Sequence, residues 1–243
     1  MGATVCQAVS ADLDLELVAA VDPHAAGDLV HGGLAISGDL DALEAAGADV
    51  AVDFTIAAAA RSNVTWLADH GIHAVVGTTG LTEADLDGFR AAFTRSNCLV
   101  AANFAISAVL MIRFAEMAAP FFDTAEIIEL HHDGKADAPS GTAMVTAGRM
   151  AAASAEWADD PTTHEVLIGA RGGAGPAGIR VHSVRMRGMV AHQEVILGAA
   201  GQSLTLRQDS FDRVSFMPGV LLACKRIADH PGLTIGLDGY LGL

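Results

Sequence analysis

Apolar and polar positions along the first hundred residues switch repeatedly between a helical period and short unbroken apolar runs. Residues 1–10, MGATVCQAVS, read as a helix, and residues 15–22, LELVAAVD, as a strand ending in an acid, Asp22. A short helix, DLDALEAAG, is closed by Gly47 and followed by the strand ADVAVDFT. The helix AAAARSNVTWLADHG ends at Gly71 and leads into the strand IHAVVGTTG. In LTEADLDGFRAAFTRS, Thr82 stands at the N-cap and Asp85 three residues on, a variant capping box. NCLVAANF closes the series as another strand. Continuous apolar strands separated by helices are expected where helices cover both faces of a parallel sheet. The pattern predicts an α/β fold with a Rossmann-like, doubly wound parallel sheet.

After Phe104 the pattern changes. A helix over about 105–121 leads to the strand AEIIELHH, a loop bearing glycine and proline, and a second long helix over about 140–157. Four strand candidates follow with little helix between them: HEVLIGAR, GIRVHSVRM, AHQEVILGAA and QSLTLRQDS. Several alternate polar with apolar, which predicts a second α+β domain with a mixed, mostly antiparallel sheet covered on one face. A last helix, VSFMPGVLLACKRIADHPG, returns to the first domain. The expected division is 1–103 with 214–243 for the first domain, and 104–213 for the second.

Composition narrows the function. The chain has 243 residues, 51% of them hydrophobic, enough for one large domain or two modest ones. A formal charge of −15 argues against nucleic acid as a partner. Only Lys135 and Lys225 are lysines, against twelve arginines. Cys6, Cys98 and Cys224 fit no metal or redox spacing and read as small buried hydrophobes in a reducing cytoplasm. The longest uncharged stretch, SNCLVAANFAISAVLMI, is short for a membrane span and carries two asparagines and two serines, so no membrane is expected.

Two places carry candidate chemistry. Doubly wound sheets bind ligands beyond the carboxyl ends of their strands. Three such ends are polar or glycine-bearing: Asp22, Gly77-Thr78-Thr79-Gly80, and Ala101-Ala102-Asn103-Phe104. An acid in the position of Asp22 accepts hydrogen bonds from an adenosine ribose, and Gly77 lets backbone pass close to a ligand. Each of these is also what ordinary strand-to-helix turns use; in register together they point to a dinucleotide. The second place is ELHHDGKADAPSGTA, residues 129–143. Neighbours in a strand point to opposite faces, so His131 and His132 have different jobs. Histidine exchanges protons near neutrality, and Lys135 adds a positive charge and a second donor. Ser140, Gly141 and Thr142 offer amides and hydroxyls at a helix N-terminus, a natural carboxylate site. Adjacent histidines with no third ligand at regular spacing make a poor zinc site, so no metal is expected.

The segment ELHHDGKADAPSGTA resembles the signature of the dihydrodipicolinate reductases, more fully the 4-hydroxy-tetrahydrodipicolinate reductases of diaminopimelate and lysine biosynthesis. VDFT at 52–55, GIHAVVGTTG at 71–80, AANFAISAVLM at 101–111, VAHQEV at 190–195 and DSFDRVSFMPGVLLA at 209–223 resemble that family too, in its order. The resemblance implies NADH or NADPH as cofactor and a small cyclic dicarboxylate as substrate. It implies His131 as proton donor or acceptor and Lys135 as a second proton donor, with His132, Gly141 and Thr142 holding substrate. It implies Gly2, Asp22, Gly77, Thr78, Thr79, Ala101, Ala102, Asn103, Phe104, Arg213 and Phe216 near the cofactor, and a homotetramer joined through the second-domain sheets. Gly134 departs from the pattern, standing where relatives often carry another histidine. The chain is also expected to lack a first strand and most of a glycine-rich turn, with Gly2 as the last glycine of that turn. Two rival readings are another amino-acid-pathway dehydrogenase with the same two-domain plan, and an inactive substrate-binding or oligomer-forming paralogue.

Overall fold

A computed structural model describes residues 1–243 as two units, Met1–Phe104 with Arg213–Leu243, and Ala105–Asp212. In chain order the first unit opens with α1 (Gly2–Ala11), α2 (Asp41–Ala45), β1 (Val50–Asp53), α3 (Ala57–His70), β2 (His73–Val76), α4 (Glu83–Ala92) and β3 (Cys98–Val100). The second unit holds α5 (Ile106–Ala118), β4 (Thr124–His131), α6 (Gly141–Ala153), β5 (Gly173–Ala174), β6 (Arg180–Arg185), β7 (Ala191–Ala199) and β8 (Gln202–Ser210). The chain then completes the first unit with α7 (Met217–Arg226), β9 (Leu233–Ile235) and α8 (Asp238–Leu241).

The first unit is built on a parallel sheet of order β1-β2-β3-β9. Ala74, Val75 and Val76 of β2 are fully buried, as strands covered on both faces require. Val64 and Leu67 of α3 and Leu86 and Phe89 of α4 pack with Ala74, Val76 and Cys98. Gly71 caps α3 at φ 70°, a left-handed conformation that glycine adopts without a Cβ penalty. The capping box at α4 forms as expected: Asp85 N donates to the Thr82 hydroxyl and Thr82 N donates to the Asp85 carboxylate. Parallel pairing sets the carboxyl ends of β1, β2 and β3 side by side, at Asp53, Gly77 and Ala101.

The second unit's sheet has order β5-β6-β4-β7-β8, in which only the β4–β6 pair is parallel. Helices α5 and α6 cover one face. Met111, Ile112 and Ala115 with Ala143, Ala147 and Met150 meet Ile127, Val181, Val195 and Leu197. The parallel crossover matters most for the site, because it sets Glu129 opposite Ser183 and His131 opposite Arg185.

Four expectations are corrected. Residues 15–20 form no strand; the segment's only β-pairing is the isolated Val21–Ser37 bridge, and a strand without a ladder partner is not formed. HEVLIGAR, residues 164–171, is a loop of turns in which Val166 and Ile168 are 95% exposed, so its apolar run has no sheet to join. The second long helix stops at Ala153 rather than near 157, and the last splits into a 3-10 turn (Arg213–Phe216), α7 and a second 3-10 turn (Ile227–Asp229). β9 and α8 have too few residues to show a period. Cys6 and Cys98 are buried and Cys224 half-buried, all as free thiols; burial pushes Cys98 and Cys224 up to about 12. No helix is long and apolar enough to cross a membrane.

Candidate active site

In the second unit, β4 ends at His131, and the loop 132–140 carries the chain to the start of α6. His131 is directed back onto Glu129 two residues earlier, as the two-residue period of a strand demands. Its Nδ1 lies 2.5 Å from Glu129 Oε2. Glu129 is wholly buried, and three groups meet its carboxylate besides the imidazole. Arg185 on β6 donates from Nη1 and Nη2 at 2.8 Å each, Ser140 N donates at 3.1 Å, and the Ser183 hydroxyl also bonds it. Arg185 Nη2 further donates to Asp137 O, tying down the loop that bears Lys135. Ser140 caps α6, its hydroxyl accepting from Ala143 N at 3.2 Å.

Electrostatics follow from these contacts. Burial pushes the Glu129 carboxyl up, but Arg185, Ser183 and His131 outweigh it and hold the group at about 2. Burial lowers His131 below the ordinary histidine value, with Glu129 opposing and Lys135 and Arg185 reinforcing. Lys135 Nζ donates to both oxygens of the exposed Asp137 at 2.8 Å, and this lysine holds Asp137 below its usual range.

The other substrate-side residues lie within the same segment. His132 is exposed just past the strand end, so the two histidines do separate. A Cβ on Gly134 would stand 3.2 Å from His132 Nδ1, so the departure at 134 leaves space for that ring. Gly141 and Thr142 form the first turn of α6, at the positive end of its dipole. Thr142 O accepts from Thr146 Oγ1, which in turn accepts from Gln193 Nε2 on β7, so the first turn is braced against the sheet.

In the first unit the sheet gathers Gly77, Thr78 and Thr79 with Ala101, Ala102, Asn103 and Phe104 along one edge. Thr78 is buried and its hydroxyl donates to Asp53 Oδ1 at 2.9 Å, so that hydroxyl pins the turn rather than facing outward. Asp53 also accepts from Thr55 N, the Thr55 hydroxyl and Asn63 Nδ2, and so joins the ends of β1 and β2 to α3. Thr79 and Ala102 are exposed. A Cβ at Gly77 would meet the Phe54 ring at 2.1 Å; Phe54 in turn packs edge-to-face on Phe104 at 5.6 Å. A side chain at 77 would therefore have to displace the Phe54 ring. Asp22 is fixed by Asp22 N–Ser37 O and accepts His24 N on Oδ1; a carboxylate retains further acceptor capacity for ribose hydroxyls. Gly2 is the exposed first residue of α1. Arg213 is exposed and Phe216 half-buried, at the two ends of the turn that precedes α7. The free acceptor capacity of Asp22 and the exposed residues Thr79 and Ala102 fit an adenosine dinucleotide.

Sequence reasoning did not single out Glu129, Arg185, Asp53 or Asn63. Asp53 is the one acid of β1, and Glu129 one of two acids in β4. Arg185 is 56 residues from Glu129 and becomes its partner only through the β4–β6 register.

Fold and site define a two-domain, Rossmann-type oxidoreductase that uses NADH or NADPH. Family models described as "Dihydrodipicolinate reductase, N-terminus" and "Dihydrodipicolinate reductase, C-terminus" match residues 1–104 and 107–241. The chain belongs to the dihydrodipicolinate reductase family. It is 51% identical to the 4-hydroxy-tetrahydrodipicolinate reductase of Cutibacterium acnes over 249 aligned residues, covering 100% of this chain and 95% of the relative. The same enzyme of Corynebacterium aurimucosum is 50% identical with the same coverage. Among solved structures, a dipicolinate-bound dihydrodipicolinate reductase from Paenisporosarcina sp. TG-14 superposes with a TM-score of 0.87 at 36% identity, over 97% of this chain and 93% of that one. An amine dehydrogenase from Mycobacterium smegmatis, at TM-score 0.63 and 15% identity over 98% of this chain and 93% of that one, shares the fold alone.

Proposed function

We propose that the chain reduces 4-hydroxy-tetrahydrodipicolinate to tetrahydrodipicolinate, the 4-hydroxyl leaving as water, in diaminopimelate and lysine biosynthesis. NADH or NADPH supplies the hydride when bound. Asp22 takes the adenosine ribose, the 77–79 and 101–104 turns take the nicotinamide half, and Gly2, Arg213 and Phe216 lie along the same ligand. On the substrate side, Gly141 and Thr142 hold one carboxylate at the start of α6, and His132 and Lys135 offset the dianion's charge. His131 and Lys135 are the proton donors.

The observation that carries this reading is the clustering around one buried carboxylate. His131, the cap of α6 and, through Arg185, the loop of Lys135 all converge on Glu129. A proton donor and a carboxylate cradle are thus held in fixed relation, as acid catalysis on a bound dicarboxylate needs. Replacement tests it. His131→Gln and Lys135→Ala should each lower kcat by about 10²–10⁴-fold, measured as substrate-dependent oxidation of NADH or NADPH. Unchanged turnover in both variants rules the assignment out.

A cytoplasmic homotetramer completes the proposal. Its support is the resemblance, together with a row of half-buried apolar residues, Ile128, Leu130, Val184 and Ile196, on the sheet face opposite α5 and α6.

A further inference from the structure

His131 can present either ring nitrogen to a substrate, and which one it presents is decided by what the other nitrogen binds. Three N–H donors, Arg185 Nη1, Arg185 Nη2 and Ser140 N, are directed at the two Glu129 oxygens. A bidentate guanidinium is matched to a carboxylate rather than to a carboxylic acid. An ionised carboxylate is acceptor-only, so the hydrogen in the 2.5 Å contact with His131 sits on Nδ1. The remaining nitrogen, Nε2, is then the one left to exchange a proton.

We propose that Glu129 is a positioning residue for the reduction: it locks His131 as the Nδ1–H tautomer, orients the ring and makes Nε2 the nitrogen that gives up the proton. The inference rests on the functional reading above and adds the atom and the device that selects it. In the step, imidazolium loses its Nε2 proton to the reduced ring and becomes neutral imidazole. The Nδ1 proton stays with the ring throughout, on Glu129. Arg185 acts one contact further away, keeping Glu129 ionised and in place.

The charged groups facing the ring are few. Glu129 comes from its own strand, Arg185 from β6, and Lys135 from the following loop, where Asp137 already clasps it. Opposite His131, β7 brings Ala191, and α6 begins with the uncharged Ser140, Gly141 and Thr142. Glu129 is therefore the one anion in contact with the imidazole, and it stabilises the protonated form. Its removal leaves Arg185 uncompensated nearby, which moves the histidine in the same direction.

Two measurements test this on the full chain. The first is the nitrogen NMR spectrum of 15N-histidine protein above the His131 titration, with the His131 signals identified by their loss in His131→Gln. A protonated Nδ1 and an unprotonated Nε2 are expected; the reverse tautomer, the one free histidine favours, overturns the proposal whether or not Glu129 variants fold. The second is the pH profile of kcat/KM, which reports groups in the free enzyme. His131 acts as an acid, so activity falls as pH rises through its titration. In Glu129→Gln that limb should move to lower pH, kcat should fall by about 10²-fold, and dipicolinate affinity should change less than about threefold. An unmoved limb overturns the proposal. The correct tautomer in a protein without reductase activity would instead contradict the function proposed above and leave the Glu129–His131 arrangement standing.

Discussion

A carboxylate with no solvent exposure survives in Glu129 because its oxygens are met by a guanidinium fork, a backbone amide, a hydroxyl and an imidazole. Removing one member of such a cluster leaves a buried charge without its partner, which costs more than the net worth of the pair. The same cluster makes stability depend on acid. Folding holds Glu129 at about 2, against an ordinary value of 4.5. A carboxyl depressed by folding contributes stability that is complete above its ordinary value and lost as pH falls through the folded one. The melting temperature of the wild-type chain should therefore fall more steeply between about pH 5 and pH 2 than that of Glu129→Gln, followed by circular dichroism. Parallel slopes would show that Glu129 is not ionised in the fold. His131, His132 and Lys135 could be picked out from residue type and spacing, because donors cluster in one short segment. Arg185 could not, since its role exists only once two strands pair in register.

At the scale of elements, the polar ends of parallel strands are held by packing as well as by hydrogen bonds. Gly219 in α7 lies against the Phe104 turn, where a Cβ would stand 2.1 Å from Phe104 O. Backbone cannot yield as a flexible side chain can. Gly219→Ala should destabilise the protein by about 1–3 kcal/mol in urea denaturation, the usual range for overpacking. A change near zero would mean that α7 does not bear on that turn. Periodicity made α1, α3, α4, α5 and the long strands β4, β7 and β8 legible, because each is long enough to display a face. It misled at 15–22 and 164–171, where apolar runs suit a strand but no neighbouring strand accepts them. Local pattern records what a segment could pair with; pairing itself depends on distant chain. The cap at Thr82 was readable for the opposite reason, since both of its partners lie within four residues.

For the molecule as a whole, the proposed function assigns a different part of the reaction to each unit. On that reading Asp22 and the 77–79 and 101–104 turns of the first unit take the cofactor, and the Glu129-centred cluster of the second supplies the acid and the carboxylate cradle. The proposed association rests on the face of the second sheet opposite α5 and α6. If Ile128, Leu130, Val184 and Ile196 are buried between copies, light scattering should return about four times the 24.9 kDa of one chain, and charged substitutions at Ile128 and Val184 should lower that mass. A monomer at all concentrations would count against it. The most direct test of the central claim is turnover by the 243-residue protein itself. Purified chain, supplied with 4-hydroxy-tetrahydrodipicolinate and either NADH or NADPH, should consume the reduced nicotinamide only when substrate is present, at a rate at least about 10²-fold above His131→Gln. No substrate-dependent consumption with either cofactor, from folded protein, would contradict the account.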